Sequence, residues 1–551
     1  MIFRIASLLL VLLWMSTVRT AAHEHEMVSG YPMPPRQATP QLAEVEPGRP
    51  IVVTRRHPYE RSFELYMQFL REDFGYERMT DDRGEHLPHY FFSWGTYNNT
   101  PCAYKRSDHY AQSYPAAHHA QFIRTFLRYA VFTGDQEWMD RAIQLGDWNM
   151  AHSTPSDSKY PHLPYSTYHR PTFVPQIMID KAPQMGLAYL DLFNFTDDAK
   201  YLDAARRLGE TLRALQRPEG NWVQKIDVQT GEVIVDYTSN IIKMVEFFNQ
   251  LSNRTGEKKS AEAADLAWQW LLDHPVKDLQ WKGGYEDWTD KQLRKEFQWM
   301  DTAWTVIELV RRRNESPAYL DMARPQFPWV VKTFGHWDPL TASSEQLKTK
   351  GKLVEYRTPA WMQTVPRFDE STVFHATPEC TVRWAWMNAA MYVGTGRKEP
   401  CYLEYAVGAL NSMTYQHLDD GRAPCLVSRL PSDPETYYYS LCTQPVRYTL
   451  EIFKLLPELC SPTENHILDF TSAPIDVSYS PSRVHYRTRL HGCEQIKLTG
   501  RPVAVLVNGQ SLPESVKQTC LESGWTFDGK RRLLHVSHDA GNVVVEVEQS
   551  E

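Results

Sequence analysis

Eight cysteines in 551 residues form no CxxC pair, so paired-thiol redox motifs and cysteine metal motifs are absent. There is no GxGxxG, no GxxxxGK[ST] and no GxSxG, which removes dinucleotide, phosphate-loop and nucleophile-elbow chemistry. His86 and His89 make an HxxH, and His23-Glu24-His25-Glu26 lies near the start, but no HExxH accompanies them. No metal or other cofactor is expected. Basic charge is also in deficit: 59 Lys and Arg against 67 Asp and Glu leave a net −8, with no basic run. Nucleic acid is therefore not an expected partner, because phosphate binding needs clustered cations.

No long apolar run follows the first 22 residues, and a bilayer span takes about 20. Residues 1–22 read as a secretory signal: Arg4, the apolar Ile5 to Met15, then Thr20-Ala21-Ala22 for cleavage. A membrane anchor is the alternative, disfavoured by the short run. A secreted or periplasmic protein with no integral membrane segment after cleavage is expected. In an exported chain some cysteines pair, Cys493 with Cys520 being the most local candidates; buried free thiols are the alternative. Sequons stand at Asn98, Asn194, Asn253 and Asn314.

What is present is a folded-protein composition, 42% hydrophobic and 23% charged, with 17 Trp and 29 Tyr. Residues 23–57 form an extended, proline-rich leader. Helical periodicity then runs over 58–460, and it repeats. A turn is followed by an aromatic, an aliphatic, an acid and alanines: Trp138 to Ala142, Tyr201 to Ala205, Tyr319 to Ala323 and Tyr402 to Ala406. Leading helices are predicted at 112–132, 176–194, 237–252, 297–313, 378–394 and 441–457. Trailing helices are predicted at 136–151, 198–215, 259–273, 317–334 and 400–416. If the helix at 58–73 pairs with that at 441–457, six hairpins close into a ring; an open solenoid is the alternative.

From 461 to 551 the period becomes two, with Val503 to Val507, Leu533 to Val536 and Val543 to Val547 strand-like. Asn508-Gly509 and Asp528-Gly529 are hairpin signals. A small antiparallel β-sandwich domain is expected there, with a structural role preferred over sugar binding by Trp525.

Six hairpins, a spacing of about 60 residues and Trp- and Tyr-rich linkers resemble the (α/α)6 toroid of carbohydrate-active enzymes. That group includes unsaturated glucuronyl hydrolases, inverting glycosidases, uronate polysaccharide lyases and sugar 2-epimerases. The resemblance covers about 400 residues and is architectural, so it implies a fold and a substrate class without singling out one family.

It also implies that the loops before the leading helices share one rim. Arg106, His109, Tyr114, His118 and His119 precede or open the first, and Tyr168, His169 and Lys181 the second. Asp236 precedes the third; Trp281, Asp287, Trp288, Trp299 and Asp301 accompany the fourth. Arg357, His375, Glu379 and Arg383 belong to the fifth, and Tyr437 to Tyr439 to the last. Aromatic faces stack on sugar rings, and Arg, Lys and His pair with a carboxylate, so an anionic glycan is the expected partner. Ordinary packing and surface pairing is the competing explanation for any single residue.

Hydrolysis needs two carboxylates, drawn here from Glu379, Asp301, Asp287 and Asp236. Helix capping explains such placement equally well. Lyase or epimerase chemistry needs instead a Tyr or His base, such as Tyr114 or His119, and a cation for the developing charge. The expectation is a glycoside hydrolase of uronate-containing glycans, with lyase, epimerase or non-catalytic glycan binding as alternatives.

Overall fold

The computed structural model describes residues 54–72, 79–80, 85–88, 91, 94–96, 111–170, 176–283, 298–336, 360–361, 377–417, 421, 423, 436–438, 440–515 and 522–548. Their helices are α1 (Tyr59–Glu72), α2 (Ala120–Thr133), α3 (Glu137–Ala151), α4 (Ala182–Thr196) and α5 (Ala199–Ala214). Next come α6 (Ile242–Thr255), α7 (Lys258–Asp273), α8 (Met300–Arg311), α9 (Ala318–Ala323) and α10 (Gln326–Phe334). The last are α11 (Pro378–Gly394), α12 (Pro400–Met413) and α13 (Ser440–Leu455).

The turns inside three hairpins share one chemistry. A threonine at the end of the leading helix donates back to the carbonyl four residues earlier: Thr133 to Tyr129, Thr196 to Leu192 and Thr255 to Leu251. The next residue is left-handed, Gly134 at φ 77°, Asp197 at 60° and Gly256 at 75°, and its N–H caps the helix. The residue after that donates its N–H to the same threonine oxygen. Each leading helix is thus stopped and its chain reversed within three residues. The aromatic that follows packs across to a neighbour: Tyr201 donates to Asp147 on α3, and Tyr319 meets Trp268 on α7.

Leading and trailing helices pair as α2 with α3, α4 with α5, α6 with α7, α8 with α9, and α11 with α12. The sixth pair joins the two ends, α13 with α1. Leading helices also contact one another in the order α2, α4, α6, α8, α11, α13, and α13 returns to α2. Several predicted boundaries shift. Residues 111–113 form a short strand paired with Tyr168–Arg170, and a π turn over Pro115–His119 precedes α2. Pro325 separates α9 from α10, because proline lacks the N–H and clashes within a helix.

The C-terminal region is antiparallel β. Its strands are β1 (His466–Phe470), β2 (Ile475–Ser480), β3 (Arg483–Thr488), β4 (Gly492–Lys497) and β5 (Pro502–Val507). The others are β6 (Gln510–Ser511), β7 (Gly524–Asp528), β8 (Leu533–His538) and β9 (Gly541–Val547). Two sheets result, in the orders β1-β4-β8-β7 and β2-β3-β9-β5-β6. Asn508 and Gly509, both at positive φ, turn β5 into β6 as the dipeptide predicts. Cys493 is disulfide-bonded. Its partner lies outside the described residues, among which Cys380, Cys401, Cys442 and Cys460 form no disulfide.

These sheets sit against the turn end of the helices. His466 stacks on Phe132 at 3.9 Å, Tyr479 donates to Val131 O, and Arg489 to Phe195 O. The opposite, N-terminal ends of the leading helices carry the charged cluster described next. Among the described residues, no helix is long and apolar enough to cross a membrane.

Candidate functional site

Buried charge collects where the leading helices begin. Asp180 and Lys181 occupy the turn before α4, with Lys181 Nζ 3.9 Å from Asp180 Oδ2. Thr238, just before α6, donates to that same carboxylate at 3.2 Å. The chain is drawn tight here: a Cβ on Gly283 would lie 2.4 Å from Asn240 Nδ2 and 3.0 Å from Gln298 Nε2. Ser239 and Lys282 bond reciprocally across the same junction.

Asp301 is in the first turn of α8 and 3% exposed. Among the described residues its Oδ2 has no hydrogen-bond partner. Burial lifts its pKa to about 6; Lys181, Lys243 and Arg383 act against that rise, and Asp180 adds to it. Asp180 is likewise raised by burial, with Lys181 opposing. Two carboxyls that share Lys181 as a neighbouring cation therefore hold protons more readily than carboxylates in water.

Glu379 opens α11, and Arg383 one turn later donates to it; their side chains are 5% and 1% exposed. Arg383 also donates to Tyr448 at 3.1 Å and lies 4.6 Å from the Trp304 ring centroid. Its Nε and Nη1 have no partner among the described residues, and neither has Trp304 Nε1 or either end of the Gln298 amide.

Lys243, in the first turn of α6, bonds Glu246 at 2.5 Å and lies 4.1 Å from the same Trp304 centroid. Desolvation lowers it to about 8, helped by Arg124 and Arg447 and opposed by Glu246. Arg124 in turn donates to Asp191 at 2.8 Å and to Glu246 at 3.1 Å. Arg447 donates to Gln121. The result is a buried to half-buried lattice of cations and carboxylates spanning α2, α4, α6, α8, α11 and α13.

Of the sequence candidates, the structure brings together Asp301, Glu379, Lys181 and Arg383. Asp236 is exposed and outside this cluster, because it precedes the inward turn at Thr238. His119 is a packing residue: its Nε2 donates to Phe91 O at 2.7 Å and its Nδ1 accepts from Asn149 at 3.1 Å. Both ring nitrogens are engaged, and burial lowers its pKa to about 4. Trp299 is fully buried between Phe334 and Trp384, so its faces serve the core instead of a sugar. Trp281 is also buried, donating to Gln326. Tyr114 is buried at the entry to the π turn, against His118.

Tyr168 and His169 lie on the strand paired with Ala111–Ser113, their side chains outside the described residues. Arg106, His109, Asp287, Trp288, Arg357 and His375 fall outside the described residues altogether. Sequence reasoning missed Asp180, Lys243, Glu246, Trp304 and Tyr448. For Lys243 the local signal was polarity inside an apolar helical run, between Ile242 and Met244. Among the described residues no group of three or more His, Cys, Asp or Glu is placed to hold a metal ion.

No known protein-family model matches the chain, and no curated protein matches it in sequence. Solved structures do match in fold. A D-mannose isomerase superposes with a TM-score of 0.51 at 14% identity, over 72% of this chain and 97% of its own. A sugar epimerase from a ruminal bacterium superposes at 0.50 and 12% identity, over 71% and 98%. An unsaturated glucuronyl hydrolase specific for heparin aligns at 0.43 and 10%, over 73% and 99%. The structures that this chain resembles are (α/α)6-toroid carbohydrate-active enzymes, as the hairpin repeat implied, and no single family is assigned by them.

Proposed function

We propose that the chain is a carbohydrate-active enzyme on an (α/α)6 toroid: a secreted glycoside hydrolase acting on uronate-containing glycans. The observation that carries the reading is Asp301, a buried carboxyl raised to about 6, one oxygen of which has no hydrogen-bond partner among the described residues, set among donors that likewise have none there. In its protonated form Asp301 delivers a proton to the glycosidic oxygen as the C–O bond breaks. Asp180, whose ionised form Lys181 favours against the effect of burial, takes a proton from the water that attacks the anomeric carbon. Glu379 keeps Arg383 fixed by their ion pair, and the Nε–H and Nη1 donors of that guanidinium, without hydrogen-bond partners among the described residues, offer positive charge to a uronate carboxylate.

A second reading has one specific support. His118, half-buried and held neutral by desolvation with its pKa near 3, lies close enough to Lys181 to feel its charge. A neutral imidazole beside a cation fits abstraction of a proton alpha to a carbonyl or carboxylate, as lyases and epimerases require. The D-mannose isomerase and sugar epimerase that share the fold accord with it.

The test is incubation of the full chain with uronate-containing oligosaccharides. New reducing ends without ultraviolet absorbance from unsaturated uronate support hydrolysis, and absorbance supports a lyase. Conversion without cleavage supports an epimerase, and binding without turnover a glycan-binding protein. Recovery from culture medium with a new N-terminus near residue 23 supports export.

A further inference from the structure

Trp304 stands three residues after Asp301 on α8, so both side chains project from one face of that helix. Two cations from two other helices reach its ring: Lys243 Nζ from α6 at 4.1 Å and Arg383 Cζ from α11 at 4.6 Å. Like charges repel when buried, and the negative face of an indole offsets that repulsion. Each cation also has a carboxylate on its own helix, Glu246 for Lys243 and Glu379 for Arg383. The shared ring, set between the two pairs, gives both cations a reason to lie toward α8.

We propose that Trp304 is a positioning residue whose ring holds the Lys243 ammonium and the Arg383 guanidinium beside the Asp301 carboxyl. The inference rests on the reading of Asp301 as proton donor, because that is what makes its proton affinity matter. The charged groups facing Asp301 are Asp180 and Lys181 from before α4, Lys243 from α6 and Arg383 from α11. Behind Lys243 stand Glu246 on its own helix, Arg124 from α2 and Arg447 from α13. Without the ring, the already paired Lys243 and Arg383 are no longer drawn toward α8, and Asp301, with those cations farther off, binds its proton more tightly.

The experiment compares Trp304→Phe and Trp304→Leu in the full chain. Protonation of Asp301 is followed by its carboxyl infrared band, using Asp301→Asn as the subtraction control. The Leu variant is expected to titrate higher by on the order of one pH unit, and the Phe variant close to the parent. The alkaline limb of the hydrolysis profile moves with it. A Leu variant that titrates with the parent while its melting temperature falls overturns the proposal, leaving Trp304 a packing residue. If the Leu variant does not fold, Lys243→Met replaces it, with the same upward shift expected and an unchanged midpoint overturning. A parent that titrates near 6 yet cleaves no glycan sinks the hydrolase reading and leaves the positioning role intact.

Discussion

Arg383 donates to Glu379 one turn earlier on α11, and neither side chain is more than 5% exposed. Removing water from both charges is costly, and only the pair makes that tolerable. Glu379→Gln should therefore lower stability by roughly 3–5 kcal/mol, since it strands a buried guanidinium. Replacing both residues with apolar ones of similar volume should recover much of that loss. Urea unfolding of the single and double variants checks it; equal losses would show that the pair does not act as a unit.

Asp301→Asn should reduce glycan hydrolysis by about 10²–10⁴-fold with circular dichroism unchanged. The same residue predicts a pH dependence of stability. Its folded pKa of about 6 exceeds the ordinary 3.8, so the folded chain holds a proton that the unfolded chain has released. The contribution is complete below the ordinary value and is lost as pH rises toward 6, amounting to roughly 3 kcal/mol. Melting temperatures from pH 3 to 7 should show this decline in the parent and its absence in Asp301→Asn.

His119 offers the opposite case. With its ring nitrogens bonded to Phe91 and Asn149, its replacement by Ala leaves polar groups unsatisfied. Stability should fall by about 1–3 kcal/mol while the pH profile of kcat keeps its shape. Loss of one limb of that profile would restore His119 as an acid or base.

Gly492 is small because of a neighbour in the sheet. A Cβ there would lie 2.3 Å from Glu494 Oε1, in a buried carboxylate that accepts from Tyr486 at 3.0 Å and bonds His538 at 2.8 Å. Gly492→Ala should destabilise the β region by about 1–3 kcal/mol, read as earlier loss of hydrogen-exchange protection in β4 and β8. Unchanged protection would mean that the Glu494 side chain moves aside at no cost.

Much of the fold was legible because its causes are local. Helical periodicity located every leading and trailing helix, and Gly134 and Gly256 marked turns that need a left-handed residue. The pairing of α1 with α13 followed from counting, since two unpartnered amphipathic helices must bury their apolar faces. The break at Pro325 was equally local, but the repeat pattern ran across it and hid it.

The candidate site was legible only in part. Asp301, Glu379, Lys181 and Arg383 stood at helix starts, where position alone suggested the rim. Trp299 and His119 stood there too and turned inward to the core, because one residue of rotation on a helix changes what a side chain meets. Asp180 escaped notice in a turn between a short strand and α4.

By itself the sequence determined the hairpin repeat, its turns and the switch to strands at the C-terminus, all set by backbone preference and the period of apolar residues. The tertiary structure alone decided which charges share the centre. Lys243 and Arg383 are 140 residues apart in the chain, yet both lie against Trp304. Their proton affinities, like that of Asp301, come from burial and mutual charge, and those exist only once the helices have closed on one another.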